Sequence, residues 1–280
     1  MTNNHKDNNT CPSCGFAIEL DYCSKCGEQK LNGSLRSLKN IVFDFAEDLT
    51  SLNGKFWKSV LLLSFKPGHY DYNYHIGKRV NYTKPVTLFL LINILFILFS
   101  PFTDFFVNLY DQLNLQPYSA WIAEGFNNRL LQLDMSYEEF SLRYDQLVIV
   151  LSRTLIILQV PIFMLFVSVF FYKKDYYLSD HFIFALNAHS WLLLASVVLQ
   201  VSFTGLNYVF SFIGLDINVF NIYYTTHKIL IVLYLLFAAK KLYQFNWLRT
   251  ISTVFILLFA LRLSHTAFRF VQFLITAYSV

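Results

Sequence analysis

All four cysteines of the chain fall within 16 residues, as Cys11-Pro-Ser-Cys14-Gly15 and Cys23-Ser-Lys-Cys26-Gly27, with eight residues between the pairs. A Cys-x-x-Cys turn followed by glycine aims two sulfurs at one point, and two such turns supply the four-thiolate tetrahedron that Zn²⁺ favours. The competing reading is disulfides. A segment on the reducing side of a membrane, too short to fold on a core of its own, favours the metal. A closed four-thiolate site has no open coordination position, so the ion is structural and no catalysis is expected at it. The ribbon carries only Lys25 and Lys30 against Glu19, Asp21 and Glu28, so it lacks a nucleic-acid binder's basic footprint. Protein contact is its expected role.

A second set of chemistry-bearing residues lies among apolar runs. Asp180 and His181 are adjacent and read as an acid/base pair in which the carboxylate orients the imidazole. Eight residues, or about 12 Å of helical rise, separate His181 from His189, too far for one shared ion. His189 is expected to make a structural hydrogen bond between helices. Arg262, His265 and Arg269 form one helical stripe, and Arg153 and Lys228 are candidates to join it. With Asn93, Gln159, Asn187 and His189 they suggest a polar intramembrane site for an anionic group such as a lipid phosphate. The competing reading ends the last helix near Leu263, with Arg262 snorkelling and a surface helix beyond it. No nucleophile motif, phosphate-binding glycine loop or metalloprotease signature is present.

Membrane-spanning helices must position these residues. The chain is 55% hydrophobic, 19% aromatic and only 14% charged, well below the roughly 25% charged residues of soluble domains. Five stretches approach the ~20 apolar residues that a hydrocarbon core requires: 86–102, 147–172, 181–203, 222–239 and 250–273. Leu206 to Tyr224 is apolar enough to suggest an extra or re-entrant segment. The polar start, Met1 to Thr10, does not read as a signal peptide. Lys78, Arg79 and Lys84, then Lys173 and Lys174, then Lys240, Lys241 and Arg249 share one side if five helices cross. The 103–146 loop, with two basic and seven acidic residues, falls on the other. This predicts an all-α integral membrane protein with its N-terminus in the cytoplasm.

The domain layout follows: a tail over 1–9, the zinc ribbon over 10–30, an amphipathic juxtamembrane segment over 34–85 and the helical membrane domain over 86–280. Leu35, Leu38, Ile41, Val42, Phe45, Leu49 and Leu52 recur at helical spacing. Pro67-Gly68 stops the preceding helix, and Gly77-Lys78-Arg79, Tyr82 and Pro85 read as a membrane-interface motif, with topology control favoured over a dedicated phosphate site.

The ribbon, followed by SFKPGHYDYNYHIGKRVNYTKP and an apolar helix, resembles an uncharacterised bacterial family, a domain of unknown function. The resemblance extends over nearly the whole chain through Pro67-Gly68, Gly77-Lys78-Arg79, Tyr82, Pro85, Tyr176-Tyr177, His181, His189 and Trp247-Leu248-Arg249. Members often carry His where this chain has Asn187, so no three-histidine site is implied. The resemblance implies a zinc-ribbon protein of the bacterial inner membrane and names no substrate.

The polar layer favours transport or binding of an anionic lipid or small molecule, without the internal repeats of many transporters. The ribbon and amphipathic segment favour a non-enzymatic adaptor or regulator that recruits a protein partner, and this is the leading expectation.

Overall fold

The computed structural model describes residues 10–18, 21–30, 54–99, 106–171, 176–215 and 219–280. The amphipathic run from Leu35 to Leu52 and the Lys173-Lys174 pair lie outside them.

Among the described residues, ten α-helices follow the ribbon: α1 Gly54–Phe65, α2 His69–His75, α3 Pro85–Phe99, α4 Leu109–Asn114, α5 Ser119–Leu133, α6 Tyr137–Thr154, α7 Gln159–Phe170, α8 Leu178–Phe212, α9 Val219–Tyr243 and α10 Trp247–Ser279. Among the described residues the β content is two isolated bridges in the ribbon, Thr10 with Ala17 and Tyr22 with Gln29.

Among the described residues, four helices are long and apolar enough to cross a membrane: Tyr137–Phe170, Leu178–Phe212, Asn221–Tyr243 and Trp247–Ser279. The first expected crossing, 86–102, appears as α3, whose 15 residues rise about 22 Å, with 100–105 outside the described residues. Helix α8 is central and packs on α2, α3, α7 and α9, while α10 closes a ring with α7 and α9. The main core runs through this ring, from Phe89 and Phe96 on α3 to Phe163, Phe184, Ala238 and Leu257.

Three expected boundaries move. The second crossing begins ten residues before 147, because α6 continues into α7 through a 3-10 turn at Leu155–Leu158. Pro161 lacks an N–H and crowds the carbonyl four residues back, and the tightened turn just before it accommodates the ring without breaking the run. Leu206 to Phe212 is no separate segment; it is the end of α8. The last helix does not stop near Leu263. Helix α10 is unbroken over 33 residues, about 50 Å.

That overhang has a partner. Helices α4 and α5 and the first half of α6 fold the 106–146 stretch against the end of α10, burying Leu109, Tyr118, Phe126, Phe140, Tyr144 and Phe273 in a second core. Asn108 caps α4 by accepting from the Asp111 N–H at 2.7 Å, and Ser136 caps α6 through the Glu139 N–H at 3.2 Å.

Candidate functional site

The ribbon is built by two equivalent knuckles. The Cys11 N–H donates to the Phe16 carbonyl at 2.7 Å and the Cys23 N–H to the Glu28 carbonyl at 2.8 Å. Gly15 and Gly27 follow each Cys-x-x-Cys turn with φ of 75° and 73°, a region glycine adopts without cost. The Cys11 and Cys26 sulfurs lie 3.5 Å apart, those of Cys14 and Cys23 3.6 Å, and all four within 4.8 Å of one another. Tetrahedral thiolates at about 2.3 Å from one ion would sit roughly 3.8 Å apart, and all four thiols are free. The set can hold a metal ion.

The knuckles differ in what they present. Glu28 is buried, and its carboxylate accepts from the Ser13 hydroxyl at 2.5 Å and from the backbone N–H groups of Arg79 at 3.0 Å and Val80 at 3.2 Å. At the equivalent position of the first knuckle, Phe16 is 48% exposed, with the Lys25 ammonium 5.9 Å from its ring centroid, and Tyr22 is 57% exposed.

The interface motif is a packing node. Gly68, at φ 75°, lies so close to α9 that an added Cβ would stand 2.4 Å from the Ala238 carbonyl oxygen. Gly77 takes φ 88°, and the Lys78 N–H returns to the Asn73 carbonyl at 2.8 Å. The Arg79 guanidinium sits 5.5 Å from the Tyr74 ring centroid. The Tyr82 hydroxyl accepts from the Asn73 amide at 3.0 Å, and its ring meets Tyr70 edge-on. Tyr70 donates to the Thr83 carbonyl, the Thr83 N–H donates to the Ser59 hydroxyl at 2.9 Å, and Pro85 opens α3 as a buried residue. Tyr82, read from sequence as part of a membrane-interface motif, thus joins Tyr70 and Ser59 in holding α1, α2 and the 76–84 loop together.

Helix α2 also brings polar groups against α8 and α9. Asp71 is buried and its Oδ1 accepts from the Asn187 amide at 2.8 Å; its Oδ2 and the Asn187 Oδ1 are buried without a hydrogen-bond partner among the described residues. Burial pushes the Asp71 carboxyl up to about 7, against the Asn187 amide, which favours the charged form. The expected Asp180–His181 pair is replaced. Asp180 caps α8 by accepting from the Tyr177 N–H at 2.9 Å and lies 3.2 Å from His75 Nδ1, while His181 Nδ1 lies 3.0 Å from the Tyr243 hydroxyl. The reason is helical geometry: neighbouring side chains on one helix point about 100° apart, so each finds its partner on another element. Tyr176 stacks on His75 at 4.4 Å and donates to the Leu242 carbonyl at 2.7 Å.

The intramembrane set is only partly brought together. His265 Nδ1 lies 3.5 Å from the Gln159 amide. His189 Nδ1 bonds the Ala185 carbonyl of its own helix at 2.8 Å and its ring meets Phe163 edge-on, so its bond is intrahelical, contrary to expectation. Asn187 belongs to Asp71. Arg153 and Arg269 are half-buried, while Arg262 and Lys228 are exposed. Sequence reading missed Glu28, Asp71, His75 and Tyr243. Asp71 and His75 share a face at i, i+4 spacing, a signal hidden by the tyrosines around them.

Among the described residues, these features define a helical protein with four helices long and apolar enough to cross a membrane and a cysteine cluster able to hold a metal. A family model described as "Protein of unknown function (DUF3667)" matches residues 53–97, from just before α1 to near the end of α3. The match takes in Gly68, Asp71, Gly77, Arg79 and Pro85 and leaves the ribbon outside. No curated protein and no solved structure matches the chain.

Proposed function

We propose that this protein is a non-enzymatic, multi-pass membrane adaptor or regulator whose four-cysteine ribbon holds a structural Zn²⁺ and contacts a protein partner. The observation that carries this reading is the division of labour between the knuckles. Glu28 ties the second to the backbone of Arg79 and Val80, while Phe16 on the first is exposed, as is Tyr22 at the start of the second. Exposed aromatics on a rigid support are what protein interfaces use as anchors. Five crossings with the ribbon on the cytoplasmic side of a bacterial inner membrane fit the charge pattern, since Lys240 and Lys241 lie at the ribbon's end of the bundle and the acidic 106–146 region at the other. Anionic lipid is a further expected partner, and nucleic acid is not.

The test is site-specific photocrosslinking at Phe16 in native membranes. A discrete protein adduct that disappears with Tyr22→Ala, at unchanged zinc content, is the expected result. Crosslinks to lipid alone, or none, would contradict the adaptor reading.

A further inference from the structure

We propose that the open cleft between the α1–α2 turn and the α9–α10 loop binds the phosphate headgroup of an anionic phospholipid. The cleft has a volume of about 840 Å³ and is lined by Lys66, His69, Tyr72, Lys240, Lys241 and Trp247, with no carboxylate on its wall among the described residues. This site is separate from both the ribbon and the intramembrane arginine stripe.

Its basic groups come from two elements held in register by Gly68. Because the Gly68 Cα–H faces the Ala238 carbonyl and the Lys241 Cβ, α2 seats directly on α9, bringing Lys66, His69 and Tyr72 beside Lys240 and Lys241. The Lys241 ammonium lies 4.4 Å from the Tyr72 ring centroid, and that of Lys240 lies 5.2 Å from the Trp247 centroid and donates to the Phe245 carbonyl. Aromatic faces and a carbonyl hold these ammonium groups in place, but neither cancels their charge. His69 Nδ1 is buried and has no hydrogen-bond partner among the described residues. Three lysines with no counter-charge among the described residues match a phosphate group.

The apolar part of the wall selects a lipid over a soluble anion. Phe65 and Phe237 line the same cleft, at 78% and 48% exposed. Trp57 and Leu61 continue from Phe65 along one face of α1 at i, i+4 spacing, exposed as well. The cleft lies at the end of the Asn221–Tyr243 span, the depth at which headgroups sit. Acyl chains lying along α1 and α9 would cover these rings.

The test titrates full-length protein, stripped of lipid in detergent, with phosphatidylglycerol or phosphatidylcholine and reads binding by native mass spectrometry. Wild type should prefer phosphatidylglycerol on the order of tenfold, and the Lys66→Gln/Lys240→Gln/Lys241→Gln variant should lose that preference. Lys55→Gln/Lys58→Gln, outside the cleft, should keep it. Equal binding of the two lipids, or an unchanged preference in the triple variant, would overturn the proposal. Displacement of phosphatidylglycerol by inorganic phosphate would also overturn it, by making a free anion the ligand. If the triple variant does not fold, Lys241→Gln alone, expected to bind about fivefold more weakly, decides.

Discussion

The carboxylate of Glu28 accepts the backbone N–H of Arg79 at 3.0 Å across 51 residues of sequence. A carboxylate satisfied by three donors while buried is a strong link, because charge-assisted bonds are about twice as strong as neutral ones. It fixes the ribbon to the loop that leads into α3.

Glu28→Ala is therefore expected to weaken ribbon docking by roughly 3 kcal/mol, leaving the Arg79 and Val80 amides without their acceptor. Limited proteolysis should cut between the ribbon and α1 faster than in wild type, with zinc content unchanged. Phe16→Ala, at an exposed site, should leave the cleavage rate unchanged.

Gly68→Ala should destabilise the bundle by about 3 kcal/mol, combining a left-handed backbone that Ala resists with a methyl pressed on the Ala238 carbonyl. The check is a fall in Tm in detergent. An unchanged Tm would mean that α2 does not seat on α9 as described.

Asp71 makes stability depend on pH. Its folded pKa, about 7, lies above its ordinary 3.8, so between those values the folded state binds more protons than the unfolded state. Stability therefore falls as pH rises from about 4 to about 7, by on the order of 4 kcal/mol from this group. In Asp71→Asn that slope should flatten, and denaturant titrations of the two proteins at pH 5 and pH 8 measure the difference. A steeper slope in the variant would contradict the assignment.

Cys23→Ser should reduce zinc from one ion per chain to none and unfold the ribbon, while the helical signal of the bundle persists. Elemental analysis with circular dichroism checks both. Zinc that survives the substitution would point to ligands other than the four cysteines.

The sequence made some of this legible and left the rest hidden for physical reasons. Cys11, Cys14, Cys23 and Cys26 declared themselves because a knuckle is a local device with fixed spacing. The apolar centres of α7, α8 and α9 were equally plain. The reach of α10 was not, since Arg262, His265 and Arg269 suggest an interface when read alone. Their helix continues because Tyr118, at the start of α5, and Phe140 and Tyr144 of α6 cover its end. Pairings such as Glu28 with Arg79, Asp71 with Asn187 and Asp180 with His75 join distant segments, and no local pattern encodes them.

Hydrogen exchange at the Arg79 and Val80 amides, in full-length protein with and without a zinc chelator, tests the central claim most directly. The account predicts that removing the metal deprotects these two amides together with residues 10–30, because the ion builds the knuckle that presents Glu28. Protection at Arg79 and Val80 that survives complete loss of the metal would contradict it.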